Sequence, residues 1–175
     1  VQAYGKATWD HAPRTPITAA DVRLMRQRHP GVPIVTYVNT SAEVKAESDI
    51  CCTSSNAVQV VEAIASQWRS DTVIMIPDEY LAKNVASQTD VRVLTWKGSC
   101  EVHERFSRQE IEQLRAEHPE AMIITHPECT PEVVRAADFA GSTAAMANFV
   151  QQHKPQTAIL ITECSMSDNV AVDNP

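Results

Sequence analysis

Pro33-Ile34-Val35-Thr36-Tyr37-Val38-Asn39 is the stretch that decides the fold. Its β-branched residues run on without polar alternation. That pattern describes a strand buried on both faces, as in a parallel sheet covered by helices. The stretch returns as Met122-Ile123-Ile124-Thr125-His126-Pro127-Glu128, 89 residues on (126 − 37 = 89). The same offset relates Thr18-Ala19-Ala20-Asp21 to Ser107-Arg108-Gln109-Glu110, His29-Pro30 to His118-Pro119, Asp49 to Asp138, and Thr53-Ser54 to Ser142-Thr143. It slips to 85 (163 − 78 = 85) where Val73 to Asp78 matches Ala158 to Glu163. A fixed period makes the chain two copies of one unit.

In the first copy, Thr18 and Asp21 approach a capping box, and Val22 and Met25 give an apolar stripe on a helix ending before His29-Pro30. After the strand at 33–38 come a helix at 41–46, a short strand at 49–52, and a helix over 57–68 with Val58, Val61, Ala65 and Trp68 on one face. A strand at 73–76, a helix at 80–87 and a strand at 91–96 follow. The second copy repeats the order from its Ser107/Glu110 capping box to a strand at 158–162, and stops before the position of the last strand. The expected class is α/β: two tandem pseudo-symmetric α/β/α domains with small parallel sheets. Residues 1–16 read as an irregular arm, 17–100 as the first repeat and 101–175 as the second.

The 175 residues suffice for a real core, and a net charge of −7 without a Lys/Arg cluster excludes a nucleic-acid surface or an anionic membrane as partner. Apolar runs fall short of a membrane span, and no signal-peptide pattern opens the chain. The five cysteines show no CxxC spacing, and a reduced, cytoplasmic protein is the simplest expectation.

In open α/β sheets, ligands sit beyond the carboxyl ends of the strands, where the repeated polar residues fall. Ser54, Ser142 and Thr143 stand where helices begin, and free N–H groups there attract phosphate or carboxylate. The plainer reading is simple N-caps. His126 and Glu128 are an imidazole and a carboxylate suited to proton transfer, against a plain polar strand exit. Tyr37 and Asn39, at the equivalent points, read as orienting donors or as ordinary loop hydrogen-bonding groups. Cys100 follows the Gly98 turn, with His103 beside it, as a metal-ligand candidate. One cysteine cannot hold zinc or an iron–sulfur cluster, so spacing favours a buried thiol. Cys51, Cys52, Cys129 and Cys164 read as small core residues.

Together these stretches resemble the quinolinate synthase family. The resemblance is carried by Tyr37 to Asp49, Cys52 to Val58, Trp96 to His103, His126 to Cys129, Ala137 to Thr143 and Thr162 to Val170. It implies three similar α/β domains around a 4Fe–4S cluster, with one cysteine from each and an iron position open to substrate. The implied reaction condenses iminoaspartate with dihydroxyacetone phosphate to quinolinate in NAD biosynthesis. L-aspartate oxidase is the implied source of iminoaspartate. By motif, Cys100 matches a cluster ligand, and His126 and Glu128, with Tyr37, match catalytic positions. Tyr37, Asn39, Ser54, His126, Glu128, Ser142 and Thr143 match substrate-binding positions. The chain resembles the second and third domains, without the first domain or the end of the third. One cluster ligand of three is expected here, and this chain alone is expected to be inactive. The rival expectation is a non-catalytic anion-binding or interaction module derived from the enzyme.

Overall fold

The computed structural model describes residues 2–4 and 17–173. Among these, the backbone forms two compact units, one running to Ser99 and the other joining residues 2–4 to Cys100 onward. β1 (Gln2–Tyr4) belongs to the latter.

The unit that ends at Ser99 contains α1 (Ala19–Arg28), β2 (Ile34–Tyr37), α2 (Ala42–Ala46), β3 (Ile50–Cys52), α3 (Ala57–Trp68), β4 (Thr72–Ile76), α4 (Glu79–Ala86) and β5 (Arg92–Thr95). Its sheet is wholly parallel, in the order β3-β2-β4-β5. The pleat sends alternate residues to opposite faces. Val35 and Tyr37 of β2 and Val73 and Met75 of β4 pack under α3 and α4. Ile34, Ile74 and Ile76 pack on the other side with Val22 of α1 and Val44 of α2. Apolar cores on both faces make a three-layer α/β/α unit, which explains why β2 reads as an unbroken apolar run.

The second unit contains α5 (Glu101–Glu104), α6 (Arg108–Glu117), β6 (Met122–Thr125), α7 (Pro131–Ala136), β7 (Phe139–Ala140), α8 (Thr143–His153), β8 (Ala158–Ile161) and α9 (Cys164–Asp173). Its parallel sheet runs β1-β8-β6-β7. Ile123, Ile159 and Ile161 pack with Ile111, Leu114 and Val133 on one face. Ile124, Ala158 and Leu160 pack with Met146, Val150, Met166 and Val170 on the other.

The α/β class is as expected, and several details differ. Residues 2–4 of the presumed arm form β1, in register with Ile159–Ile161; residue 1 and residues 5–16 lie outside the described residues. A strand of three residues without β-branching gives no periodic signal. Trp68, expected inside, is 40% exposed, because Ile64 and Ala65 set the buried face of α3. Cys51 is exposed on β3 while Cys52 is buried, as the pleat requires of neighbours. Helices α5 and α9 were not foreseen: α5 is one short turn, and α9 carries a polar Ser/Asp/Asn sequence with little apolar period. No helix among the described residues is long and apolar enough to cross a membrane.

Candidate functional site

Three of the singled-out side chains lie in the unit that ends at Ser99. Tyr37 closes β2 and is buried in the core with Val35 and Cys52. Asn39 is exposed in the bend that follows, and Ser54 is half-buried in the turn after β3. Ser54 does not cap α3. That helix begins after Asn56, whose Oδ1 turns back to accept the Thr53 N–H at 2.7 Å, so its first turn has no side-chain cap.

In the other unit, Ser142 is the N-cap of α8 and its Oγ accepts the Ala145 N–H at 3.3 Å. Thr143 is the first helical residue and is exposed. The Gly141 N–H donates to the Thr125 carbonyl at 3.0 Å, which sets the start of α8 beside the exit of β6. A Cβ on Gly141 would stand 2.7 Å from the Phe139 ring, so the close approach needs glycine.

At that exit the polar residues converge. His126 and Glu128 are only 3% and 6% exposed, yet both carry ionisable groups. Buried charge is costly unless paired. The partner is His126, whose Nδ1 lies 3.2 Å from Glu128 Oε2; His103 Nδ1 lies 3.5 Å from the same oxygen. The two rings stack, with centroids 4.7 Å apart and planes at 21°. His126 Nδ1 also stands 3.3 Å from the Glu128 backbone N. That nitrogen has a partner in either state. Protonated, it donates to the carboxylate; unprotonated, it accepts the backbone N–H.

His103 comes from α5, and its Nε2 meets Thr162 Oγ1, just past β8, at 3.1 Å. Burial pushes its pKa down to about 4; Glu128 opposes that shift and His126 adds to it. The ring is therefore neutral at neutral pH. Its Nδ1 is buried and makes no hydrogen bond among the described residues. Cys100, half-buried as the N-cap of α5, brings a thiol to the same place. Donor atoms of Cys100, His103 and Glu128 all lie within 4.8 Å of one another. A 4Fe–4S cluster is held by several thiolates. Among the described residues no second cysteine joins this group, so it offers a single thiol and could not complete a cluster by itself. Cys129, close by in sequence, is fully buried, and burial pushes its thiol up to about 12.

The structure thus brings together Cys100, His126 and Glu128, as the sequence had singled out. It adds His103 as the residue that touches both Glu128 and Thr162. The Cys100-to-His103 spacing was the visible hint; Thr162, 59 residues away, was not visible as its partner.

Comparison with known proteins adds the family. A family model described as "Quinolinate synthetase A protein" matches residues 14–175. "Quinolinate synthase 1" of Mesorhizobium japonicum is 64% identical over 159 residues, covering 91% of this chain and 48% of that protein. "Quinolinate synthase 2" of the same organism is 62% identical over the same shares. "Quinolinate synthase" of Caulobacter vibrioides is 62% identical, covering 91% of this chain and 43% of the relative. The chain spans just under half the length of these curated relatives.

Proposed function

The chain belongs to the quinolinate synthetase A family, and on that footing we propose that it supplies two α/β domains of a quinolinate synthase. These are the second and third of the three implied by the resemblance. The whole enzyme would condense iminoaspartate with dihydroxyacetone phosphate to quinolinate, for NAD biosynthesis. The observation that carries the reading is the Glu128 carboxylate, buried at a strand exit between two imidazoles.

That carboxylate is the proton acceptor in this proposal. Withdrawn from water, it meets an acidic C–H or N–H of a bound substrate without competing hydration. His126 holds the proton at Nδ1, where the 3.2 Å contact to Oε2 allows transfer. His103, neutral and anchored on Thr162, stacks on the His126 ring and holds it beside the carboxylate. Anionic groups of the substrates would meet the hydroxyls. Ser142 accepts from Ala145 and keeps its own O–H hydrogen to donate, and Thr143 offers an exposed O–H. In the other unit, Asn39 and Ser54 would donate to carboxylate or phosphate oxygens, and Tyr37 would present its phenol at the end of β2. Cys100 would be one thiolate ligand of a 4Fe–4S cluster, which when bound supplies Lewis acidity toward a substrate oxygen. By itself the chain would not turn over substrate.

The test restores the remainder of the protein. Residues 17–173 replace the matching segment of the Mesorhizobium japonicum relative, and quinolinate formation is measured anaerobically. The chimera is expected to be active. Glu128→Gln should lower kcat by roughly 10²- to 10⁴-fold, the usual share of a positioned acid–base group. A folded, cluster-loaded chimera without activity, or a Glu128→Gln variant at full rate, would overturn the proposal.

A further inference from the structure

We propose that Thr162 is a positioning residue for the acid–base site. Its buried hydroxyl donates to His103 Nε2 and fixes the ring with its proton on Nδ1, so that a neutral N–H, and not a lone pair, stands beside the Glu128 carboxylate. This role rests on the proton-acceptor reading of Glu128 and deepens it.

A count of protons selects this tautomer. His103 is 6% exposed and neutral at neutral pH, so the ring has one N–H to place. Thr162 follows β8, is 1% exposed, and its Oγ1 meets His103 Nε2 at 3.1 Å. Among the described residues that nitrogen is the hydroxyl's only partner. A buried O–H without an acceptor is costly. With the proton on Nε2, the Thr162 hydrogen has no acceptor among the described residues, and the Nδ1 lone pair faces Glu128 Oε2 across 3.5 Å. With the proton on Nδ1, the hydroxyl donates to Nε2, and an N–H stands beside the carboxylate. The hydrogen bond at one ring nitrogen thus decides what the other carries.

The repeat agrees. Thr162 takes the place that Pro77 holds in the first copy, where Tyr37 and Asn39 stand for His126 and Glu128. The hydroxyl therefore occurs in the copy that carries the imidazoles. Thr36 and Thr125 are equally buried, and they turn their hydroxyls to the backbone carbonyls of Tyr37 and His126. Thr162 instead meets a ring. The consequence falls on Glu128: an N–H beside Oε2 favours the ionised carboxylate, the form that accepts a proton. His103 also stacks on His126, with centroids 4.7 Å apart, so fixing one ring steadies the imidazole that lies 3.2 Å from Oε2.

The 175-residue chain, reduced and uniformly labelled with ¹³C and ¹⁵N, is studied at neutral pH by long-range ¹H–¹⁵N correlation, with the ring signals assigned through the backbone. We expect a protonated Nδ1 and an unprotonated Nε2 on His103. Thr162→Val keeps the shape and removes the donor, so it should raise the share of the Nε2–H form; Thr162→Ser should keep the parent pattern. In the chimera, Thr162→Val should lower kcat by about tenfold or more with KM unchanged, and Thr162→Ser should restore the rate, since a wrong imidazole tautomer can cost far more than that. A parent ring protonated on Nε2, or on both nitrogens, overturns the role and depends on no variant folding. A folded Thr162→Val that keeps either the parent tautomer or the parent rate overturns it as well. The ring spectra involve no iron, sulfide or turnover, so failure here is distinct from failure of the quinolinate synthase reading, which an inactive parent chimera reports.

Discussion

Cys51 and Cys52 are chain neighbours with opposite chemistry. On β3 the pleat turns Cys51 outward and Cys52 into the core, where it is 1% exposed. Burial, and to a lesser extent the adjacent Cys51, push the Cys52 thiol up to about 12; burial does the same to Cys129. The thiolate is the reactive form, so a raised pKa means a protonated, inert sulfur. Even at pH 9 such a thiol is ionised to only about one part in a thousand. In native protein treated with iodoacetamide between pH 7 and 9, Cys51 should alkylate while Cys52 and Cys129 should not, and unfolding should release both. Mass spectrometry reads each site; native labelling of Cys129 at the rate of Cys51 would show that the β6–α7 junction opens freely. The sequence marked both cysteines of the pair as core residues, because composition speaks of burial on average and cannot assign the face of a three-residue strand. The same limit applies at the site. His126 and Glu128 were legible from their place after an apolar run. The work of His103 depends on Thr162, which only the folded chain brings to it.

At the scale of elements, the repeat extends to an Arg–Asp clamp. Asp49 accepts the Ile34 N–H at 2.7 Å and an Arg26 N–H at 3.0 Å, and Arg26 also donates to the Glu47 carbonyl. In the second unit, Asp138 accepts the Ile123 N–H at 2.8 Å and an Arg115 N–H at 3.0 Å, and Arg115 also donates to the Ala136 carbonyl. Each clamp ties the end of a helix to the start of a central strand. Both helices also open with complete capping boxes, from Thr18 and Ser107. The aspartates were visible as repeated positions. Their arginine partners looked like ordinary basic residues in a last helical turn, because a pairing across 23 residues leaves no local pattern. Asp49→Ala and Asp138→Ala should each cost about 1–3 kcal/mol, since each leaves a buried strand N–H without its acceptor. Glu112→Ala, which removes an exposed helical pair with Arg108, should stay within about 0.5 kcal/mol. Urea denaturation midpoints measure both, and equal effects for Asp138→Ala and Glu112→Ala would show that the clamp carries no special weight.

For the whole molecule, the two sheets have the same plan but not the same chain path. The first runs β3-β2-β4-β5 and the second β7-β6-β8-β1, so β1 occupies beside β8 the place that β5 occupies beside β4. Sequence periodicity carried seven of these eight strands because each is apolar or follows its copy at a fixed offset. It could not carry β1, which lies far from its partner in sequence and shares no motif with β5. The position matters because an open strand edge exposes a row of unpaired N–H and C=O groups that invites pairing with another molecule. β8 is apolar throughout, with Ile159, Leu160 and Ile161 all buried, which makes its bare edge the kind that associates. Deleting residues 1–4 should leave β8 as an edge strand. Hydrogen exchange should rise along Ala158–Ile161, and light scattering should report self-association that grows with concentration. If the truncated chain exchanges and scatters like the parent, the pairing of Gln2–Tyr4 with β8 does not protect that edge in solution.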